Sequence, residues 1–308
     1  MSKISVEKNI VDIYKRKRFI AEQDAENRFN KALEEDAELK RLFLEKRRAS
    51  CESIMHETDE NRNAYIQALK KFSDYVKKKG LDLSIHYECD KCKDSGWIDK
   101  KECDCRKSLK KAMLRQESNL PKMANETFDN DKISNSRVKH AQKMSQIIKD
   151  CKMFVEKFDE TKKRVLLLSG GVGVGKTTLS FFIANALLEK GKSVYYSNAF
   201  DLATMLMNEQ FRRLSSSEYV NYCNMVQADL LIIDDLGVEQ NNAILIERLF
   251  ALIDKRMSDG MKTMICTNLS FEQISKRYGE RIYSRLLSKE YSYCPSFIAG
   301  DDLRKTIL

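Results

Sequence analysis

The run Gly170-Gly171-Val172-Gly173-Val174-Gly175-Lys176-Thr177 constrains this chain more than any other feature. It fits G-x-x-x-x-G-K-[ST], follows the apolar stretch RVLLLS and opens the helical run TTLSFFIANALLEKG. In that strand-to-helix setting the pattern is a phosphate-binding loop. Its glycines let backbone N–H groups curl around phosphate oxygens without Cβ clashes. The start of the next helix adds partial positive charge. Lys176 is expected to bridge the β- and γ-phosphates of ATP. Thr177, followed by Thr178, is expected to ligate Mg²⁺.

A phosphate loop needs a sheet behind it, and the sequence from residue 161 supplies one. RVLLLSG, KSVYYSN, DLLIIDD and KTMICTN are four strand candidates, separated by helical stretches such as Thr177–Glu189 and Ala243–Met257. That alternation predicts a parallel sheet covered on both faces. The third strand ends in Asp234 and Asp235, at the sheet edge where ligands of open α/β sheets sit. Asp234 is the natural Mg²⁺-side acid and Asp235 the group to orient an attacking water. Asn268 at the tip of the fourth strand can reach the γ-phosphate or that water.

The rest of the chain is built differently. No Gly or Pro precedes Gly80, and good helix formers dominate the first 79 residues. Tyr65, Ile66, Leu69, Phe72 and Val76 recur at helical spacing, as do Ile10, Ile13, Tyr14 and Lys17. Two to four helices are expected, with breaks at Asn61 and Asn63. Residues 108–160 read as a connector with one or two helices, including Val138–Phe158.

Between these parts lies GLDLSIHYECDKCKDSGWIDKKECDCRK, short, turn-rich and cysteine-dense. Four of the nine cysteines, Cys89, Cys92, Cys103 and Cys105, form C-x₂-C-x₁₀-C-x-C. Two close pairs across a short loop can deliver four thiolates to one tetrahedral Zn²⁺, with His86 an alternative to one of them. Four protein ligands leave no open position, so the zinc role would be structural.

The formal net charge of +9 permits nucleic-acid contact without demanding it. Arg106, Lys107, Lys110, Lys111 and Arg115 cluster without an acid among them, and on their own read as a solvated helix face. Phe211, Arg212, Arg213, Tyr219 and Tyr222, with Tyr195 and Tyr196, offer aromatics beside arginines, a combination suited to single-stranded DNA; burial in the core is the competing reading for Tyr195 and Tyr222. No stretch approaches ~20 uncharged apolar residues, so no membrane span or membrane partner is expected. MSKISVEKNIVDIYKRKRF lacks a secretory apolar core, and a cytoplasmic location is expected.

The order of these motifs resembles the AAA+ ATPases of the initiator and helicase-loader clade, and the whole chain resembles bacterial DnaC/DnaI-type replicative helicase loaders. CDKCKDSGWIDKKECDC, NETFDND, GGVGVGKTTL, YYSNAFDLATML, LLIIDDLG, TMICTNLS and GERIYSRLL carry the resemblance, over most of residues 85–305. It implies an AAA+ P-loop core at 161–308, a helicase-interaction region at 1–80, a zinc-binding segment at 81–107 and a connector at 108–160. It puts Asn268 at sensor 1, Arg285 at the arginine finger with Arg281 its rival, Arg304 near sensor 2, and a helical insertion at Asp201–Ala228. A finger acting in trans implies self-association and hydrolysis stimulated by assembly. Asp235 is one methylene shorter than the Glu of many AAA+ enzymes, which implies slow turnover. The implied function is ATP-dependent loading of a hexameric replicative helicase, with single-stranded DNA held by the ATPase domain. An IstB-type transposition-helper ATPase and a nucleotide-gated adaptor with little turnover are the alternatives.

Overall fold

A computed structural model describes residues 3–121, 141–240 and 242–295, with side chains from residue 6 and, in the second stretch, from residue 145. The chain divides into two compact units. One is Ile10–Arg106; the other takes residues up to Asn9 and from Lys107 onward.

Three helices make up most of the first unit: α1 (Lys3–Glu35), which begins before it, α2 (Ala37–Met55) and α3 (Asp59–Lys79). The breaks fall at capping residues and not at Asn61 and Asn63, which lie inside α3. Asp36 accepts from the N–H groups of Glu38 and Leu39, and Thr58 accepts from that of Asn61. Short polar side chains at those points satisfy amides that have no partner within the helix. Gly80, at φ 63°, stops α3 in the left-handed conformation that glycine adopts without strain. Phe29, Phe43 and Phe72, one from each helix, form a line of aromatic contacts at 5.0 and 6.2 Å. A two-residue hairpin, β1 (Trp97–Ile98) with β2 (Lys101–Glu102), follows.

α4 (Asp104–Glu117) leads into the second unit and α5 (Ala141–Glu156) precedes its sheet. Then β3 (Val165–Ser169), α6 (Lys176–Glu189), β4 (Val194–Asn198), α7 (Ala199–Gln210) and α8 (Ser216–Gln227) alternate. β5 (Leu230–Leu236), α9 (Ala243–Ser258), β6 (Lys262–Thr267), α10 (Phe271–Leu286) and β7 (Ser292–Tyr293) complete the series. The sheet order is β4-β5-β6-β3-β7, with every pairing parallel. Residues 201–228, where an insertion is expected, run through most of α7 and all of α8.

Val165–Leu168, Leu230–Ile233 and Met264–Cys266 are all buried, as continuous apolar strands covered on both faces must be. The open edge of β4 is covered by the chain after α4. Tyr196 N–H donates to Ser118 O, and Asn119 donates to Tyr196 O. The basic run around α4 is only in part a solvated face: Lys107 is exposed, and the others are buried or paired. Arg106 is buried beside Glu102, Lys110 pairs with Glu7, Lys111 with Glu189, and Arg115 donates to Asn185. Glu7, Glu189 and Asn185 come from elsewhere in the sequence, so a local reading could not see them.

Candidate functional site

The phosphate loop leaves β3 at Ser169 and enters α6 at Lys176. Gly173 (φ 79°) and Gly175 (φ 94°) both take left-handed conformations, and Val174 is buried between them. No side chain caps α6; its N-cap is Gly175. The first-turn amides thus face a position suited to an anion. Gly170 N–H is tied back to Thr267 O at 3.2 Å, and Ser169 Oγ donates to Leu269 O at 2.7 Å. These bonds anchor the start of the loop to the end of β6.

Lys176 is buried, and its ammonium donates to Gly170 O (2.9 Å), Gly171 O (2.7 Å) and Asn268 Oδ1 (2.7 Å). To reach a phosphate it exchanges acceptors of that loop for phosphate oxygens. Thr177 Oγ1 donates to Asp234 Oδ2 at 2.9 Å, and Tyr196 OH donates to the same oxygen at 2.8 Å. Asp235 N–H donates to Asp234 Oδ1 at 3.1 Å. Asp234 is only 3% exposed, and this set of donors is what makes a buried carboxylate tolerable there. Burial first, and then the charge of Asp234, push the Tyr196 hydroxyl's pKa upward, so it remains a neutral donor.

The acid pair sits on an irregularity in the sheet. Ile233 pairs with Ile265 and Leu236 with Thr267, so β5 advances three residues while β6 advances two. The extra residue bulges at the acids, and Asp235 has φ 54°. The bulge turns Asp235 out to solvent while Asp234 stays in. Thr267 Oγ1 donates to Leu236 O at 2.6 Å and closes the ladder beyond it.

The structure therefore brings Lys176, Thr177, Asp234 and Asn268 into one bonded group, with Asp235 beside it. Gly170, Gly171, Val172, Gly173, Val174 and Gly175 form the loop around it, and Thr178 lies in the first turn of α6. Arg281 and Arg285 are held by α9: both guanidiniums lie 6.0 Å from the Phe250 ring, and Arg285 Nε donates to Asp254 at 2.7 Å. Arg304 and the NETFDND segment lie outside the described residues. Tyr196 is a site residue that sequence reasoning had treated as a DNA-stacking candidate. Its one available signal was strand alternation, which puts Tyr195 and Tyr196 on opposite faces; Tyr195 is indeed buried. In the insertion, the Tyr219 and Tyr222 rings stack at 6.2 Å, and Arg213 lies 5.2 Å over exposed Phe211.

The first unit holds a second site. The sulfurs of Cys89, Cys92, Cys103 and Cys105 all lie within 4.8 Å of one another. Cys89 and Cys103 are 3.9 Å apart, and Cys92 and Cys105 3.5 Å. Four thiolates at ~2.3 Å from a tetrahedral zinc would stand ~3.8 Å from each other, so the set fits that ion. Buried Asp94 accepts from the N–H groups of Glu88 and Cys89 at 2.9 Å each and shapes the first knuckle. His86 is not part of the cluster; its ring bonds to Asp82. Tyr14 of α1 donates to Cys105 Sγ at 3.1 Å, and the Arg106 guanidinium lies 4.8 Å from the Trp97 ring. The Cys92 N–H holds the Cys89 thiol down at about 7, whereas burial pushes the Cys105 thiol up to about 12. Among the described residues no helix is long and apolar enough to cross a membrane.

Residues 96–289 match the family model described as IstB-like ATP binding protein. The replicative helicase loader DnaC of Escherichia coli (strain K12) is 30% identical over 188 residues, covering 58% of this chain and 75% of that protein. The same-named protein of Buchnera aphidicola subsp. Schizaphis graminum (strain Sg) is 25% identical over 184 residues, covering 58% and 74%. The crystal structure of DnaI overlaps 57% of this chain and 94% of its own at 20% identity and a TM-score of 0.47, too loose a likeness to carry functional weight.

Proposed function

This chain belongs to the family of IstB-like ATP-binding proteins, with DnaC helicase loaders among its relatives, and on that premise we propose that it is an ATP-dependent loader of a replicative DNA helicase. The observation that carries the reading is the bond between Thr177 Oγ1 and Asp234 Oδ2, 2.9 Å long, at the mouth of the phosphate loop. A hydroxyl and a carboxylate held together there are the donor set that a Mg²⁺ bound to ATP requires.

Lys176 would leave the carbonyls of Gly170 and Gly171 for the β- and γ-phosphates, while Thr177 and Asp234 turn toward Mg²⁺. Asp235, exposed on its bulge, would orient water, and Asn268 would sense the γ-phosphate. Arg304 is proposed for the same nucleotide. Arg285 would act on a neighbour's nucleotide in a self-associated assembly, with Arg281 its rival. Its ion pair with Asp254 is no obstacle, since both side chains are over a third exposed and such pairs are worth about 0–1 kcal/mol. The shorter acid at 235 favours slow hydrolysis that rises on assembly. ATP binding and hydrolysis would then switch assembly and release.

Cys89, Cys92, Cys103 and Cys105 would hold a structural Zn²⁺, fixing the segment 81–107 against α1 through Tyr14. With the helices of 1–80 it would grip the helicase, joined by residues 108–160 to the ATPase domain at 161–308. Arg213, Phe211 and the Tyr219–Tyr222 stack would meet single-stranded DNA. The work would be cytoplasmic. A transposition-helper ATPase shares the loop and acidic strand; the four-thiol cluster favours the loader. The test is capture of the replicative helicase from a matched pair of pure proteins, with ATP and with ADP. ATP-dependent capture is expected; none with either nucleotide would refute the loader reading.

A further inference from the structure

A second buried carboxylate lies just beyond the acidic strand and, among the described residues, bonds to none of the groups that would hold nucleotide. Glu239 is 5% exposed. It accepts from Gly237 N–H at 2.9 Å and from the Tyr278 hydroxyl. Its backbone carbonyl accepts from Arg277, whose Nε stands 3.7 Å from the Glu239 carboxylate. A buried acid costs stability unless it is paired, and here the partners sit on two different elements.

Those elements are the loop after Asp235 and helix α10. Arg277 and Tyr278 are the last residues before Gly279, whose φ of 80° and ψ of 166° break α10 into two halves. A Cβ at Gly279 would meet nothing within 4 Å, so backbone conformation alone explains the glycine. The half beyond it carries Arg281 and Arg285. On the other side, Gly237 has φ 119°, and a Cβ there would stand 2.8 Å from Leu269 Cδ1, the residue after Asn268. The loop holding Glu239 is thus packed closely against the residue that follows the tip of β6.

We propose that Glu239 is a positioning residue that couples the Asp234–Asp235 strand tip to the arginine-bearing half of α10 across the break at Gly279. Nucleotide-driven movement at the bulge shifts Gly237 and Glu239, and Glu239 carries Tyr278 and Arg277 with it. The direction of Arg281 and Arg285 follows. The coupling deepens the reading of those arginines as acting in trans, and rests on it.

Backbone hydrogen exchange over residues 279–287 of the full chain tests it, with and without Mg²⁺ and a non-hydrolysable ATP analogue. In the unaltered protein the analogue changes exchange there several-fold. In Glu239→Gln and in Tyr278→Phe that response is lost, analogue affinity stays within about twofold, and assembly-stimulated turnover falls about tenfold or more, as small misplacements of reacting groups produce. A response retained in both variants, or absent from the unaltered protein, overturns the coupling. So does a general loss of analogue affinity, which would make the network merely structural. If Arg281→Ala and Arg285→Ala both leave stimulated turnover untouched, the trans-arginine reading falls, and the exchange data still decide the coupling.

Discussion

Removing one oxygen from Tyr196 tests the architecture of the carboxylate site with little collateral change. Tyr196→Phe keeps the ring, which lies 5.5 Å from Phe181, so no cavity opens. What goes is the hydroxyl that donates to Asp234 Oδ2 at 2.8 Å. Asp234 retains Thr177 and the Asp235 N–H, but the oxygen shared by Thr177 and Tyr196 loses one of its two donors. A hydrogen bond to a charged group contributes roughly 1.5–3 kcal/mol, and the nucleotide-free protein should lose about that much in urea unfolding. Partners that orient a metal ligand are worth about 10–100-fold in metal affinity, so the Mg²⁺ needed for half-maximal nucleotide binding should rise by that factor. Both are read from one preparation, by denaturant titration and by a Mg²⁺ titration at fixed fluorescent nucleotide. Loss of stability with unchanged Mg²⁺ dependence would show that the Tyr196 hydroxyl stabilises the fold without orienting a Mg²⁺ ligand, and would refute its part in the Mg²⁺ site.

Two further perturbations follow from the same contacts. Cys89→Ser should lower bound zinc from one ion per chain to a fraction of that by metal analysis, and should leave nucleotide binding intact; a zinc-free wild-type protein would end the metal assignment. Arg256 is fully buried and donates to Met225 O, Val226 O, Ala228 O, Lys262 O and Thr263 Oγ1. Arg256→Met strands several of these acceptors at about 1–3 kcal/mol each, a large share of a domain's 5–15 kcal/mol, and thermal unfolding should show a severely destabilised or unfolded chain.

What the sequence made legible was whatever is encoded locally. The apolar runs before Gly170 and Asp234 are continuous because parallel strands are buried on both faces, and Gly173 and Gly175 take left-handed conformations that favour glycine. The cysteine spacing likewise survives without knowledge of the fold. Features that depend on a distant partner were hidden. The bulge at Asp234–Asp235 exists only relative to the register of β6. Tyr196 became a site residue because β4 lies beside β5, with Asn198 opposite Asp234. Arg106, Lys110 and Lys111 read as a solvated face because Glu7 and Glu189 are far away in sequence and Arg106 is buried by its fold. Glu239 gave no signal at all, since neither its burial nor its partners Tyr278 and Arg277 can be inferred from the residues around it.

Calorimetric titration of Mg²⁺-ATP into the full chain and into Lys176→Ala tests the central claim most directly. The account predicts saturable heat at one site per chain in the first and none in the second. No heat with the unaltered, folded protein, or equal heat with the variant, would contradict it.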